Sequence, residues 1–139
     1  RVADIVLKQH ANSGADYSAS GIQGGFPPGL DTEAINFEAL EKAHREAKLI
    51  YEREHVTPYI YQHPKLFTIQ FVQASGRLRR PDLRLTVDTE EDLKLIREIF
   101  KRLYHGDQIF HTEDVIDLLD KHPELVAINA HVVQKKLGE

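Results

Sequence analysis

The sequence LRLTVDTEEDLKLIREIF, at positions 83–100, changes its hydrophobic periodicity at Asp88. Before Asp88, the apolar residues Leu83, Leu85 and Val87 alternate with polar ones, and this period of two is typical of a half-buried β-strand. After Asp88, apolar residues recur with the spacing of one helix face. The pattern therefore predicts a strand that runs directly into a helix, with an aspartate at the junction.

Asp88 lies outside the predicted cap of this helix, because Thr89 and Asp92 have the spacing of a capping box. Strand parity places Asp88 on the polar face with Arg84, at the carboxyl end of the strand, where open α/β sheets bind ligands. We expect its carboxylate to be exposed there and to suit Mg²⁺, which takes one or two carboxylates plus substrate phosphates. The favourable electrostatics of an aspartate near a helix N-terminus also explain Asp88 without any ligand.

The composition is that of an ordinary globular protein. The chain has 139 residues, of which 41% are hydrophobic and 29% charged, and its formal net charge is -4. It has no sustained basic stripe, so we expect no nucleic-acid partner. It has no cysteine, which excludes disulfides and thiolate metal sites. No apolar run approaches the roughly 20 residues that span a bilayer, so we expect no membrane segment. The absence of cysteine fits a reducing compartment, and we expect a cytoplasmic location.

Helices and strands alternate along the chain, which predicts an α/β protein. We expect one domain over residues 1–139, built in three layers around a small mixed sheet. The predicted elements are a helix from Val2 to about residue 13, a strand within 15–20, a loop at 21–31, a helix from Asn36 to about Ile50, a short helix from Pro58, a strand at 67–71, and a helix from Thr112 to before Pro123. The few strands and the absence of methionine lead us to expect a piece of a longer protein.

The segment REHVTPYI, at 53–60, is a second candidate site. Arg53, Glu54 and His55 place a cation, a carboxylate and an imidazole beside a turn, and such a group suits an anionic or polyhydroxylated substrate. Surface ion pairing before a capped helix explains the same residues.

The segment FPPGLDTEAI, at 26–35, is a third candidate. Its glycines allow the backbone to approach a ligand closely, and Asp31 and Glu33 alternate toward one face. Without a lysine or a phosphate-cradle spacing, however, the loop by itself is best interpreted as a hairpin connection.

Four segments in this order closely resemble the C-terminal half of the spore coat polysaccharide biosynthesis protein F family: FPPGLDTEAINFEALEKAHREA, REHVTPYIYQHP, LRLTVDTEEDLKLIREIF and FHTEDVIDLLDKHPELVAIN. That family belongs to the cytidylyltransferase superfamily, together with CMP-sialic acid and CMP-Kdo synthetases. The resemblance implies the C-terminal portion of a Rossmann-like nucleotidyltransferase that activates a sugar or sugar acid with CTP. It also implies Mg²⁺ as cofactor and Asp88 as one of its carboxylate ligands.

The resemblance further implies which residues bind the substrate, and we expect them to surround one concavity with Asp88. These residues are Asp31, Glu33, Arg53, Glu54, His55 and Arg84. The family's phosphate loop and first metal aspartate are not in this sequence, so we expect the isolated chain to be inactive and to bind CTP weakly. We also expect a homodimer, because a strand edge near Phe67 and Phe71 would be left uncovered. The alternative is a non-catalytic α/β module for sugar binding or dimerisation.

Overall fold

The computed structural model describes residues 2–106 and 108–134. Its elements, in chain order, are α1 (Val2–Ser13), β1 (Tyr17–Ala19), β2 (Glu33–Ile35), α2 (Phe37–Glu46), α3 (Ile50–Glu54), α4 (Pro58–Tyr61), β3 (Ile69–Phe71), α5 (Glu90–Leu103), α6 (Thr112–Lys121) and α7 (Pro123–Val126). Among the helices of this described part, none is long and apolar enough to cross a membrane.

The chain forms two compact units. Among the described residues, the sheet unit consists of Val2–Ser20, Thr32–Val72 and Gln134, and the helical unit consists of Gly21–Asp31 and Gln73–Val133. The expectation of a single domain over residues 1–139 stays a prediction.

The sheet unit contains a three-stranded mixed sheet in the order β2-β1-β3. β1 pairs antiparallel with β2, with Tyr17 opposite Ile35, and parallel with β3, with Tyr17 opposite Ile69. Buried side chains such as Ile60 and Phe67 form its core. The α/β class with a small mixed sheet is therefore confirmed, and so is the hairpin connection between the first two strands.

The predicted helix from Asn36 to Ile50 is wrong only at its C-terminal end, beyond Glu46. α2 begins after Asn36 as expected, but Ala47 adopts an extended conformation (φ -63°, ψ 127°) and a new helix, α3, begins at Ile50. The Glu52 carboxylate accepts the backbone N–H groups of Lys48 and Leu49, both at 3.0 Å, and so caps the new helix. Ile50, whose spacing from Ala43 and Ala47 predicted an inward-facing position, is consequently 85% exposed.

The predicted strand at 83–87 is also wrong, because this segment of the helical unit has no regular secondary structure. The backbone N–H of Leu85 donates to the carbonyl of Pro28 at 2.7 Å, so the segment pairs with a loop instead of a sheet. Its alternation has the expected effect at two of its three apolar positions, since Leu83 and Leu85 are buried in a core with Leu95, whereas Val87 is 56% exposed. The segment therefore reaches α5 with its polar residues on the less buried side.

Candidate functional site

Asp88 lies immediately before the N-cap of α5 in the helical unit, and its side chain is 56% exposed. One carboxylate oxygen accepts a hydrogen bond from the Arg84 Nη2 at 3.0 Å. The exposure agrees with the expectation from strand parity, although the segment is not a strand. Its role as a metal ligand stays a prediction.

Asp92 is the buried partner of this site. Its side chain is fully buried, and it accepts six hydrogen bonds. The Arg84 guanidinium donates two of them, from Nε to Oδ1 and from Nη2 to Oδ2, each at 2.9 Å. The Asn129 amide donates to Oδ1 at 2.8 Å, and the Thr86 hydroxyl donates to Oδ2 at 3.1 Å. The backbone N–H of Asp88 and that of Thr89 also donate to Oδ2.

The charges in this cluster reinforce each other. Arg84, followed by Asn129 and by backbone and hydroxyl donors, holds the pKa of Asp92 well below its usual range despite burial, and Asp92 in turn raises the pKa of Arg84. Arg84 thus forms its main ion pair with Asp92, and its Nη2 also donates a hydrogen bond to Asp88. With one cation between two carboxylates, the three side chains keep one net negative charge.

The donor set fits Mg²⁺ only in part. Within residues 2–106 and 108–134 there is no group of three or more His, Asp or Glu side chains that could hold a metal ion. Asp88 offers a single hard oxygen ligand, which suits a cation whose other ligands come largely from substrate phosphates and water. Asp88 therefore offers one of the several ligands that Mg²⁺ needs. The described residues do not form a complete metal site.

The glycine-rich loop lies against this segment within the helical unit. Gly29 has a φ of +98°, and a Cβ there would overlap the backbone of Leu85 and Thr86. Only glycine fits this close approach. Asp31 is exposed, and its Oδ2 accepts the backbone N–H of Gly29 at 3.0 Å, so this carboxylate stabilises the loop itself.

The other predicted site residues lie in the sheet unit. The Arg53 Nη1 donates to the carbonyls of His44 (3.1 Å) and Ala47 (3.3 Å), so it stabilises the C-terminal end of α2. Glu54 and His55 are exposed at the end of α3. Each unit thus holds part of the predicted set, and the shared concavity stays a prediction.

Glu33 has the most defined surroundings of the predicted residues in the sheet unit. It is exposed on β2, and its Oε1 accepts hydrogen bonds from the hydroxyls of Tyr17 (2.5 Å) and Thr57 (3.2 Å). Thr57 belongs to the REHVTPYI segment, so the structure joins Glu33 to that second candidate site. Tyr17 had no recognisable signal in the sequence, and Thr57, which precedes Pro58, was expected only as the N-cap of the short helix.

Comparisons with known proteins agree with the resemblance seen in the four segments. The family model described as cytidylyltransferase matches residues 1–123. An uncharacterized protein of Methanocaldococcus jannaschii is 46% identical over 112 residues, which cover 80% of this chain and 45% of that protein. The spore coat polysaccharide biosynthesis protein SpsF of Bacillus subtilis is 33% identical over 122 residues, which cover 87% of this chain and 49% of SpsF.

A solved structure shows a similar fold. A cytidylyltransferase from Leptospira borgpetersenii serovar Hardjo-bovis superposes with a TM-score of 0.78 at 24% identity, over 96% of this chain and 54% of that one. The chain therefore spans about half the length of the relatives it matches. The family match begins at residue 1, and the assignment to a C-terminal half stays a prediction. By its match over most of its length, the chain belongs to the cytidylyltransferase family.

Proposed function

We propose that this chain supplies the sugar side and the metal side of an enzyme that activates a sugar or sugar acid with CTP. A sugar oxygen attacks the α-phosphate of CTP and pyrophosphate leaves, a reaction in which catalysis is mostly positioning and charge neutralisation. The observation that carries the proposal is family membership over residues 1–123, combined with an exposed Asp88 held at the start of α5. The name of the Bacillus subtilis relative supports a role in surface polysaccharide synthesis.

Asp88 would hold the magnesium ion, which when bound supplies neutralisation of the phosphate charge. The residues around it keep the carboxylate in place. Asp92 fixes the backbone N–H of Asp88, and Arg84 donates to the Asp88 carboxylate while bound to Asp92. Asp31, Glu33, Arg53, Glu54 and His55, with Arg84, are proposed to face the substrate.

The activity is proposed for an intact enzyme of the length of its relatives. The chain covers 45% and 49% of the length of two curated relatives, so the activity is assigned to a longer protein. That this chain is the C-terminal portion of a Rossmann-like nucleotidyltransferase, and that it is inactive on its own, are part of the proposal. A homodimer in the cytoplasm completes the proposal.

The test compares Asp88→Asn with Glu90→Gln in the intact enzyme. Both changes remove one exposed carboxylate near the start of α5, but only the first removes the proposed ligand. Pyrophosphate release from CTP would be measured with a panel of sugars and sugar acids at several magnesium concentrations. We expect Asp88→Asn to lose about 100-fold in kcat/KM, and Glu90→Gln to stay close to the unchanged enzyme.

Equal activities of the two variants would contradict the role of Asp88. Absence of pyrophosphate release with every sugar, with sugar binding retained, would favour the non-catalytic module instead.

A further inference from the structure

Glu33 is an exposed carboxylate that two buried hydroxyl groups hold in place. The hydroxyls of Tyr17, on β1, and Thr57, before α4, both donate to its Oε1. Tyr17 is 2% exposed and Thr57 is 7% exposed, so the supporting residues belong to the body of the sheet unit. The carboxylate is therefore fixed in one orientation while remaining open to solvent.

The side chain of Thr57 hydrogen-bonds to Glu33 and not to the helix that it precedes. It is the N-cap residue of α4, yet its side chain makes no capping hydrogen bond. An N-cap threonine ordinarily accepts a backbone N–H of the first helical turn. The Thr57 backbone is helical (φ -98°, ψ -16°) and not extended as at an ordinary N-cap. Its hydroxyl donates to Glu33, so the side chain orients the carboxylate and does not cap the helix.

No cation among the described residues forms an ion pair with the carboxylate of Glu33. In the part of the chain that the structure describes, its hydrogen-bond partners are the two neutral hydroxyls. Burial, and then the bond to Glu33, raise the pKa of Tyr17. Burial, and then the charge of Glu33, also raise the pKa of Tyr61, whose ring centre lies 6.1 Å from that of Tyr17.

The hydrogen-bonding capacity that remains at this position is entirely accepting. The hydroxyl protons of Tyr17 and Thr57 are both donated to Oε1, which leaves Oε2 and the oxygen lone pairs. An anionic group would be repelled, and a sugar hydroxyl offers only one donor. A protonated amine offers three donors, no acceptor and the opposite charge, so it matches the site best.

We propose that Glu33, oriented by Tyr17 and Thr57, binds a protonated amino group of the ligand. Taken with the proposed function, on which this last step rests, the activated sugar is an amino sugar. Amine binding by Glu33 does not itself depend on cytidylyl transfer. Glu33 then determines specificity, and Tyr17 and Thr57 are positioning residues.

The experiment is a titration of the ¹⁵N-labelled 139-residue chain, followed by NMR. The probes are glucosamine, glucose and N-acetylglucosamine, which differ at one ring position in charge and donors. We expect glucosamine to give saturable shifts at the amides around Glu33 and Thr57. Glucose and N-acetylglucosamine should bind about tenfold more weakly, as expected for the loss of one charge-assisted hydrogen bond.

Variants separate the site from the surface around it. Glu33→Gln should reduce glucosamine affinity about tenfold, to the level of glucose. Glu38→Gln, an equivalent loss of an exposed carboxylate on α2, should leave the affinity unchanged. Thr57→Val and Tyr17→Phe should lower the ratio of glucosamine to glucose affinity, a readout that a purely structural role would not change.

Equal affinity for glucosamine and glucose, an unaffected Glu33→Gln variant, or no saturable shift near Glu33 would overturn the inference. Pyrophosphate release by the intact enzyme distinguishes this failure from failure of the proposed function. If cytidylyl transfer to a sugar without an amine occurred and did not change in Glu33→Gln, the proposed function would be supported and the inference about Glu33 would be refuted. If amines bound at Glu33 but no sugar accepted a cytidylyl group, the inference would be supported and the proposed function would be refuted.

Discussion

Asp92→Asn should strongly destabilise the helical unit, because every group that faces this side chain is a donor. Arg84 Nε and the Asn129 amide face one oxygen, and Arg84 Nη2 faces the other together with a hydroxyl and two backbone N–H groups. The new NH₂ group would meet donors in either orientation, and Arg84 would lose its buried counter-ion. Breaking a buried pair in this way costs about 3–5 kcal/mol, a large part of a total stability of about 5–15 kcal/mol.

Asp88→Asn is the matched control, because it removes the other carboxylate that Arg84 contacts. That ion pair is at the surface, so its loss should reduce the free energy of unfolding by about 0.2–1 kcal/mol. Urea denaturation followed by circular dichroism at neutral pH would measure both variants. Similar losses in the two variants would refute the assignment of Asp92 as the anchor of this cluster.

The effect of Asp92 should also depend on pH. Its pKa is lowered in the folded state, chiefly by Arg84, so its contribution is present above the unfolded-state pKa of about 3.9. The contribution is lost as pH falls below about 4 toward the folded-state pKa. The difference in unfolding free energy between the unchanged protein and Asp92→Asn should therefore be constant from about pH 7 to pH 5 and shrink below about pH 4. A difference that stays constant in acid would contradict the lowered pKa.

Three further predictions concern the backbone and the nucleotide. Gly29→Ala should lower the unfolding free energy by more than about 2 kcal/mol, through backbone strain and overlap with Leu85. Gly14→Ala is the control: it has open space at a φ of +66° and should lower the unfolding free energy by only about 1–2 kcal/mol. Equal losses of the two variants in urea denaturation would contradict the overlap. Val56→Asn should stabilise the chain by about 0.5–1 kcal/mol, because a φ of 68° strains a β-branched residue that is 51% exposed; a lower melting temperature would contradict this. Calorimetric titration of the isolated chain with CTP and Mg²⁺ should show a Kd weaker than about 1 mM. Tight binding would contradict the expectation that this chain does not contain the family's phosphate loop.

The alternation of apolar residues predicted burial more reliably than it predicted strands. β3 was expected at 67–71 and is found at Ile69–Phe71, but the equally regular segment at 83–87 is not a strand. A period of two shows that one side of an extended segment is buried, and it does not show whether the backbone pairs with a strand or with a loop. The bond from Leu85 to Pro28 depends on a loop more than fifty residues away in sequence, so the local pattern contains no trace of it.

Helix boundaries show the same limit at shorter range. Ala43, Ala47 and Ile50 have the spacing of one helix face, and this spacing predicted one continuous helix. Glu52 instead accepts the backbone N–H groups of Lys48 and Leu49, and the chain restarts as α3. Hydrophobic spacing does not reveal a competing cap a few residues downstream.

Local motifs revealed one part of the candidate site and missed the partners that come from distant segments. The Thr89 and Asp92 capping box was predicted from spacing, and both of its hydrogen bonds are present. Asn129, which is 37 residues from Asp92, had no recognisable signal. The bond between Tyr17 and Glu33 depends on the register of β1 against β2, which the sequence does not specify.

The two aspartates at the start of α5 have opposite surroundings, and the difference explains how one motif can serve both fold and function. Asp92, at the third position of the helix, is buried and accepts the Arg84 guanidinium and the backbone N–H of Asp88. Because Asp92 provides this stabilisation, the Asp88 carboxylate is not needed by the core. Within residues 2–106 and 108–134 its side chain makes one hydrogen bond, to an arginine that Asp92 already holds in place. In the sheet unit, the hydroxyls of Thr57 and Tyr17 likewise donate to Oε1 of Glu33 and orient the carboxylate, while Oε2 remains available. In both units, buried polar residues fix the geometry, and the exposed carboxylate that they support is the group able to meet a ligand.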